Sequence, residues 1–94
     1  MSLTFLRAQG YDYPTGTFVF VMADGDTEVQ CGVSLSAMDD AEQARNVRES
    51  QRVDQFARLQ DRITTCAARK YSNGDLEAGA TRIIVRSIDL TPRI

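Results

Sequence analysis

Six apolar residues, Val53, Phe56, Leu59, Ile63, Ala67 and Tyr71, recur at steps of three and four. That is the repeat of one face of an α-helix. A stripe of this length must be buried, and 94 residues have room for a single core to bury it in. The partner surface lies upstream. Residues 17–23 and 27–33 are rich in β-branched and aromatic side chains and are separated by Asp24-Gly25-Asp26, a strong hairpin signal. A two-residue Asp24-Gly25 loop pairs Met22 with Thr27, Phe20 with Val29 and Phe18 with Cys31. Opposed residues share a face. Phe18, Phe20, Met22, Val29 and Cys31 are therefore expected under the long helix, with Val19, Val21, Glu28 and Gln30 on the other side. A three-residue loop would bring Val19 and Val21 to the core instead.

The remaining elements follow from local chemistry. Ser36-Ala37-Met38-Asp39 has the form of a capping box opening a short helix that runs to about Ala44. Ser50 is the N-cap candidate for the long helix, and Asn73-Gly74 its stop. Residues 81–86 read as a strand with Ile83 and Val85 on one face and Arg82, Ile84 and Arg86 on the other. Residues 2–6 read as a short N-terminal strand, and Tyr13-Pro14-Thr15-Gly16 as a type I turn. The expected fold is one α+β domain over residues 1–94. It is a two-layer sandwich: a small antiparallel sheet of three to four strands, with the short and long helices on one face.

Composition narrows the function classes. The net charge of −2 gives no overall attraction to phosphate, so nucleic-acid binding would need a local basic stripe. The longest apolar run, Phe18 to Ala23, is too short to span a bilayer, and MSLTFLRAQG lacks the form of a secretory leader. Two cysteines, Cys31 and Cys66, do not make a secreted disulfide framework, so a cytoplasmic setting with both thiols reduced is expected. Histidine is absent, which removes the commonest general base and the commonest metal ligand. Two thiols alone do not complete a zinc site.

The order and spacing of several short runs resemble the bacterial family known as domain of unknown function 1488 (DUF1488). They are MSLTF, Tyr11-Asp12, Phe20 ahead of Asp24-Gly25, Val29-x-Cys31-x-Val33-Ser34, Phe56 with Arg62-Ile63, Ala68-Arg69-Lys70 and the closing Asp89-Leu90. The resemblance implies a small soluble bacterial protein with no assigned activity and no established catalytic residues. It adds no chemistry.

Among the side chains, the carboxylates Asp24, Asp26, Asp39, Asp40, Asp54, Asp61, Asp75, Glu77 and Asp89 pair with no nucleophile or metal motif. They read as solvated or capping groups, Asp39 and Asp40 in a helix first turn. No catalytic, metal or cofactor residue is assigned. Two surfaces remain. Val19, Val21 and Ile84 belong to the sheet face the long helix leaves open, ringed by Glu28, Gln30, Arg82 and Arg86. An apolar centre with a polar rim is the anatomy of a contact surface. The competing reading lays Leu3, Phe5 or Tyr11 over that face, or leaves single valines in water. Arg58, Arg62 and Arg69 share one flank of the long helix, the alternative being weak nucleic-acid binding there. The expectation is a non-catalytic interaction module, most simply a homodimer through the open face.

Overall fold

The computed structural model describes residues 3–12, 14–79 and 81–90. Four strands, β1 (Thr4–Asp12), β2 (Thr17–Asp24), β3 (Thr27–Ser34) and β4 (Ile83–Val85), form one sheet in the order β1-β2-β3-β4. Helix α1 (Leu35–Glu42), a 3₁₀ turn (Glu49–Gln51) and the long helix α2 (Arg52–Ser72) lie between β3 and β4, and a short helix α3 (Ser87–Leu90) follows. The expected α+β sandwich is present, with the N-terminal strand as its fourth. The sheet is mixed and not wholly antiparallel: β4 runs parallel to β3. Two helices intervene, and a crossover of that kind carries the chain back across the sheet to the end where β3 began. Ser2 and Tyr13, at the edges of the expected strand and turn, lie outside the described residues.

The hairpin faces are as expected, and the pairing is displaced by two. Asp24 opposes Thr27, Met22 opposes Val29 and Phe20 opposes Cys31. The loop is Gly25-Asp26, with Gly25 at φ 61 in the first central position, where a type II′ turn needs glycine. Sliding the register by two residues preserves which side chains share a face, so the inward set is unchanged. Phe18, Phe20, Met22, Val29, Cys31 and Val33 are buried, as are Ile83 and Val85 from β4. Helix α2 lays Phe56, Leu59, Ile63 and Ala67 on them. Phe56 sits at the hub: its ring centroid is 4.7 Å from Phe18, 5.2 Å from Phe20 and 6.0 Å from Phe5.

Three local readings need correction. The cap of α1 is Ser34, whose side chain accepts from the Ala37 amide at 3.0 Å, and not Ser36. The helix therefore starts at Leu35, and Asp39 and Asp40 fall in its second half. Ser50 belongs to the 3₁₀ turn and does not cap α2. At the start of α2 the stripe rotates: Val53 is 60% exposed, while Arg52 and Gln55 are buried. The predicted end is right in kind. Gly74 takes φ 74, the Asp75 amide donates to Lys70 O and the Gly74 amide to Tyr71 O, the paired bonds of a Schellman stop.

Candidate contact surface

Helices α1 and α2 pack on the core side, so among the described residues no helix lies over the face carrying Val19. Its central row can be read off the pairing. Gly10 opposes Val19, Val19 opposes Gly32, and Gly32 opposes Ile84. Small and large residues thus alternate across all four strands. A Cβ on Gly32 would lie 3.4 Å from Ile84 Cδ1, 3.5 Å from Thr17 Cβ and 3.5 Å from Thr81 Cγ2, which places these three side chains on the same face. A Cβ on Gly10 would meet nothing within 4 Å. Val19 and Ile84 are half-buried.

The structure brings the other predicted residues to this face with a different division of labour. Val21 is only 3% exposed. It lies between Arg7 on β1 and Gln30 on β3, and the Arg7–Glu28 ion pair (2.9 Å) bridges β1 and β3 across β2 beside it. The stems of such side chains cover apolar surface while their heads stay in water. Val21 therefore offers little area to a partner, and the accessible apolar side chains are Val19 on β2 and Ile84 on the edge strand β4. Glu28 is held by Arg7 within the chain, and Arg86 by Glu77 at 3.1 Å. In each pair the guanidinium keeps the carboxyl below its ordinary range, through the hydrogen bond first and the charge second. These are exposed pairs of small energetic weight. Arg82 is exposed, and its amide donates to Gln30 O at 2.9 Å, extending the pairing of β4 along β3.

The arginine flank is less available than its spacing implied. Arg58 makes a two-pronged bond to Glu42 (2.8 and 3.0 Å), and Arg62 donates to Leu90 O at 3.2 Å. The Arg58 hydrogen bond holds the Glu42 carboxyl below its usual range, against the effect of burial. Arg69 is exposed beside them.

Sequence reasoning missed two polar clusters because their members are distant in the chain. Arg52 Nη1 donates to Asp39 Oδ1 and to Gln55 Oε1, both at 2.7 Å, and Gln55 Nε2 donates to Asp39 Oδ1 at 3.0 Å. This triangle joins α1 to α2. Lys70 Nζ donates to Ile84 O at 2.9 Å and to Asp89 Oδ2 at 2.8 Å, and the Arg86 amide donates to the same carboxylate oxygen. Burial alone would raise the Asp89 pKa; Lys70 and the amide outweigh it and hold it low. The closing Asp89-Leu90 thus fastens α3 to α2 and β4, with Leu90 buried. An open groove of about 820 Å³ lies between the end of α1 and α3, lined by Asp39, Asp40, Arg45 and Ile88 among others. Its most buried carboxylate, Asp39, is already committed to Arg52 and Gln55.

Both cysteines are free and buried. Burial pushes the Cys31 thiol up to about 12 and raises Cys66 as well, despite the nearby Arg69, Arg62 and Lys70. Only the thiolate reacts. Thiol reagent added to the native protein at neutral pH is expected to label neither residue until unfolding exposes them; rapid stoichiometric labelling by mass spectrometry would contradict this packing. Among the described residues no group of three or more Cys, Asp or Glu is arranged to hold a metal ion, and no helix is long and apolar enough to cross a membrane.

The family model described as "Protein of unknown function (DUF1488)" matches residues 3–83. A solved structure of a DUF1488-family protein of unknown function from Shewanella loihica PV-4 superposes with a TM-score of 0.80. It covers 90% of this chain and 93% of its own, at 12% identity, a level that speaks for the fold alone. No curated protein matches.

Proposed function

Because the chain belongs to the family of unknown function DUF1488, we propose that it works as a non-catalytic interaction module of the bacterial cytoplasm, associating through the open face of its sheet. One observation carries the reading. The helical layer covers one side of the sheet, and the other side carries Val19 on the inner strand β2 and Ile84 on the edge strand β4, with the Arg7–Glu28 and Arg86–Glu77 pairs beside them. Accessible apolar side chains with charged neighbours favour contact with another macromolecule. Two free thiols held protonated by burial fit a reducing compartment.

The simplest partner is a second copy. Light scattering on the wild-type protein at high micromolar concentration is expected to give twice the chain mass. Val19→Glu is the discriminating variant: its side chain is half-buried, whereas a charge at Val21 would be buried within the chain itself and unfold it. The variant is expected to show one chain mass and an unchanged circular-dichroism spectrum. A wild-type mass of one chain at that concentration would rule out self-association.

A further inference from the structure

We infer that α3 is a releasable latch: it lifts off α2 as a unit while the sheet and α2 stay folded, and its lifting is what opens Cys66 to solution. The attachment is a row of donors. Arg62, Cys66 and Lys70 stand at four-residue steps along one face of α2. Arg62 Nη2 donates to Leu90 O at 3.2 Å, Cys66 Sγ to Asp89 O at 3.2 Å and Lys70 Nζ to Asp89 Oδ2 at 2.8 Å. All three acceptors belong to the last two residues of α3, and two of them are carbonyls that a helix end leaves without intrahelical partners. Leu90 is the one side chain that α3 gives to the core, while Ile88 is 74% exposed. The latch belongs to the helical layer and is independent of what covers the open face.

Little else holds α3. The Asp89 and Leu90 amides both donate to Arg86 O, so the helix is a single turn. A turn of that length does not persist without its docking contacts. It packs on α1 and α2 and pairs with no strand. Lifting it breaks no bond of the sheet, and Ile83 and Val85 stay buried under α2. An element held so lightly opens at a smaller free energy than the whole fold. Opening also changes Cys66 chemically. Burial is the largest cause that raises its pKa and the Asp89 charge adds to it, while Arg69, Arg62 and Lys70 lower it. Lifting α3 relieves both raising causes and leaves the three cations in place. The thiol is therefore inert beneath α3 and readily ionised once α3 is off, so its labelling reports the opening.

Labelling with N-ethylmaleimide tests the latch, with peptide mass spectrometry separating Cys66 from Cys31. In the wild-type protein Cys66 is expected to label slowly, yet faster than Cys31, and with a shallow urea dependence. Cys31, at 0% exposure in β3, is expected to follow the full slope of global unfolding. Two variants separate the latch from the fold. Asp89→Asn keeps the shape of the side chain and removes the charge that Lys70 holds, and is expected to speed Cys66 labelling at least about tenfold. Val29→Ala weakens the core beside Met22, near the hairpin turn, which the open and closed forms share. It is expected to speed Cys31 at least about tenfold and to leave Cys66 within about twofold. A common urea slope for the two thiols, or equal acceleration of both by Val29→Ala, would show that α3 leaves only with the whole fold and would overturn the latch. Wild-type Cys66 labelling at the rate of the urea-unfolded chain would show that α3 does not cover it, and an unchanged Cys66 rate in Asp89→Asn that α3 is not the gate; either overturns it as well. The urea series needs the wild-type chain alone, so it decides the matter even where a variant fails to fold.

Discussion

Phe56→Ala is expected to cost about 3–5 kcal/mol of folding stability, measured as the shift in urea midpoint with unchanged slope. Phe56 is 2% exposed, and its ring contacts Phe5, Phe18 and Phe20. Truncation loses the transfer free energy of the ring and leaves a cavity bounded by three other aromatics. Two of them sit on β2, where the pairing with β1 and β3 limits collapse into the gap. A chain of 94 residues has a total stability of roughly 5–10 kcal/mol, so the variant is expected to lose a cooperative transition near room temperature or to retain a much reduced one. A melting curve close to wild type would mean that α2 does not pack on the hairpin as described.

The prominence of Phe56 was legible in the sequence, and the reason is the regularity of what surrounds it. Strand β2 alternates strictly through Phe18, Phe20 and Met22, and α2 repeats at Phe56, Leu59 and Ile63. Either pattern survives small errors in loop length. The two-residue slip between the expected and observed hairpin registers moved every pair and no face. Elements whose geometry depends on single residues were harder to read. Leu6 and Gln9 interrupt the pairing of β1 with β2 as bulges, which breaks period-two alternation and left only Leu3 and Phe5 visible. Direction in β4 cannot be read from Ile83, Ile84 and Val85, since three apolar residues suit a parallel strand as well as an antiparallel one. Helix α1 presents two serines, Ser34 and Ser36, and the choice between them rests on where β3 stops.

The contact surface shows the same division. That Val19 and Ile84 share the face opposite α2 follows from strand alternation. That Val21 is nearly inaccessible does not, because it depends on the Arg7–Glu28 bridge, whose members lie 21 residues apart. Hydropathy places valines on faces; it cannot say which of them a neighbouring arginine will cover. The charge of the arginine flank is partly spent on Glu42, which lies in a different helix.

Asp39→Ala is expected to destabilise the fold by about 2–4 kcal/mol, a large effect for a carboxylate on a helix surface. Asp39 lies in the second half of α1, where the helix dipole disfavours a negative charge. Arg52 offsets this at 2.7 Å, with its side chain only 10% exposed against 28% for Asp39. Removing the carboxylate strands the guanidinium in a buried position and takes one acceptor from Gln55, whose side chain also bonds Glu42, while Gln55 itself is fully buried. The loss is therefore mostly the cost of unpaired buried groups and only partly the attraction between the pair. This distinction has a measurable consequence. Replacing the whole triangle with apolar residues, Asp39→Leu with Arg52→Met and Gln55→Leu, removes the orphaned groups together with the bond and is expected to recover most of the lost stability. Urea midpoints of the single and triple variants decide between the two accounts. A triple variant as unstable as Asp39→Ala would show that the ion pair itself holds α1 on α2, and a single variant within about 0.5 kcal/mol of wild type would show that Arg52 finds another acceptor.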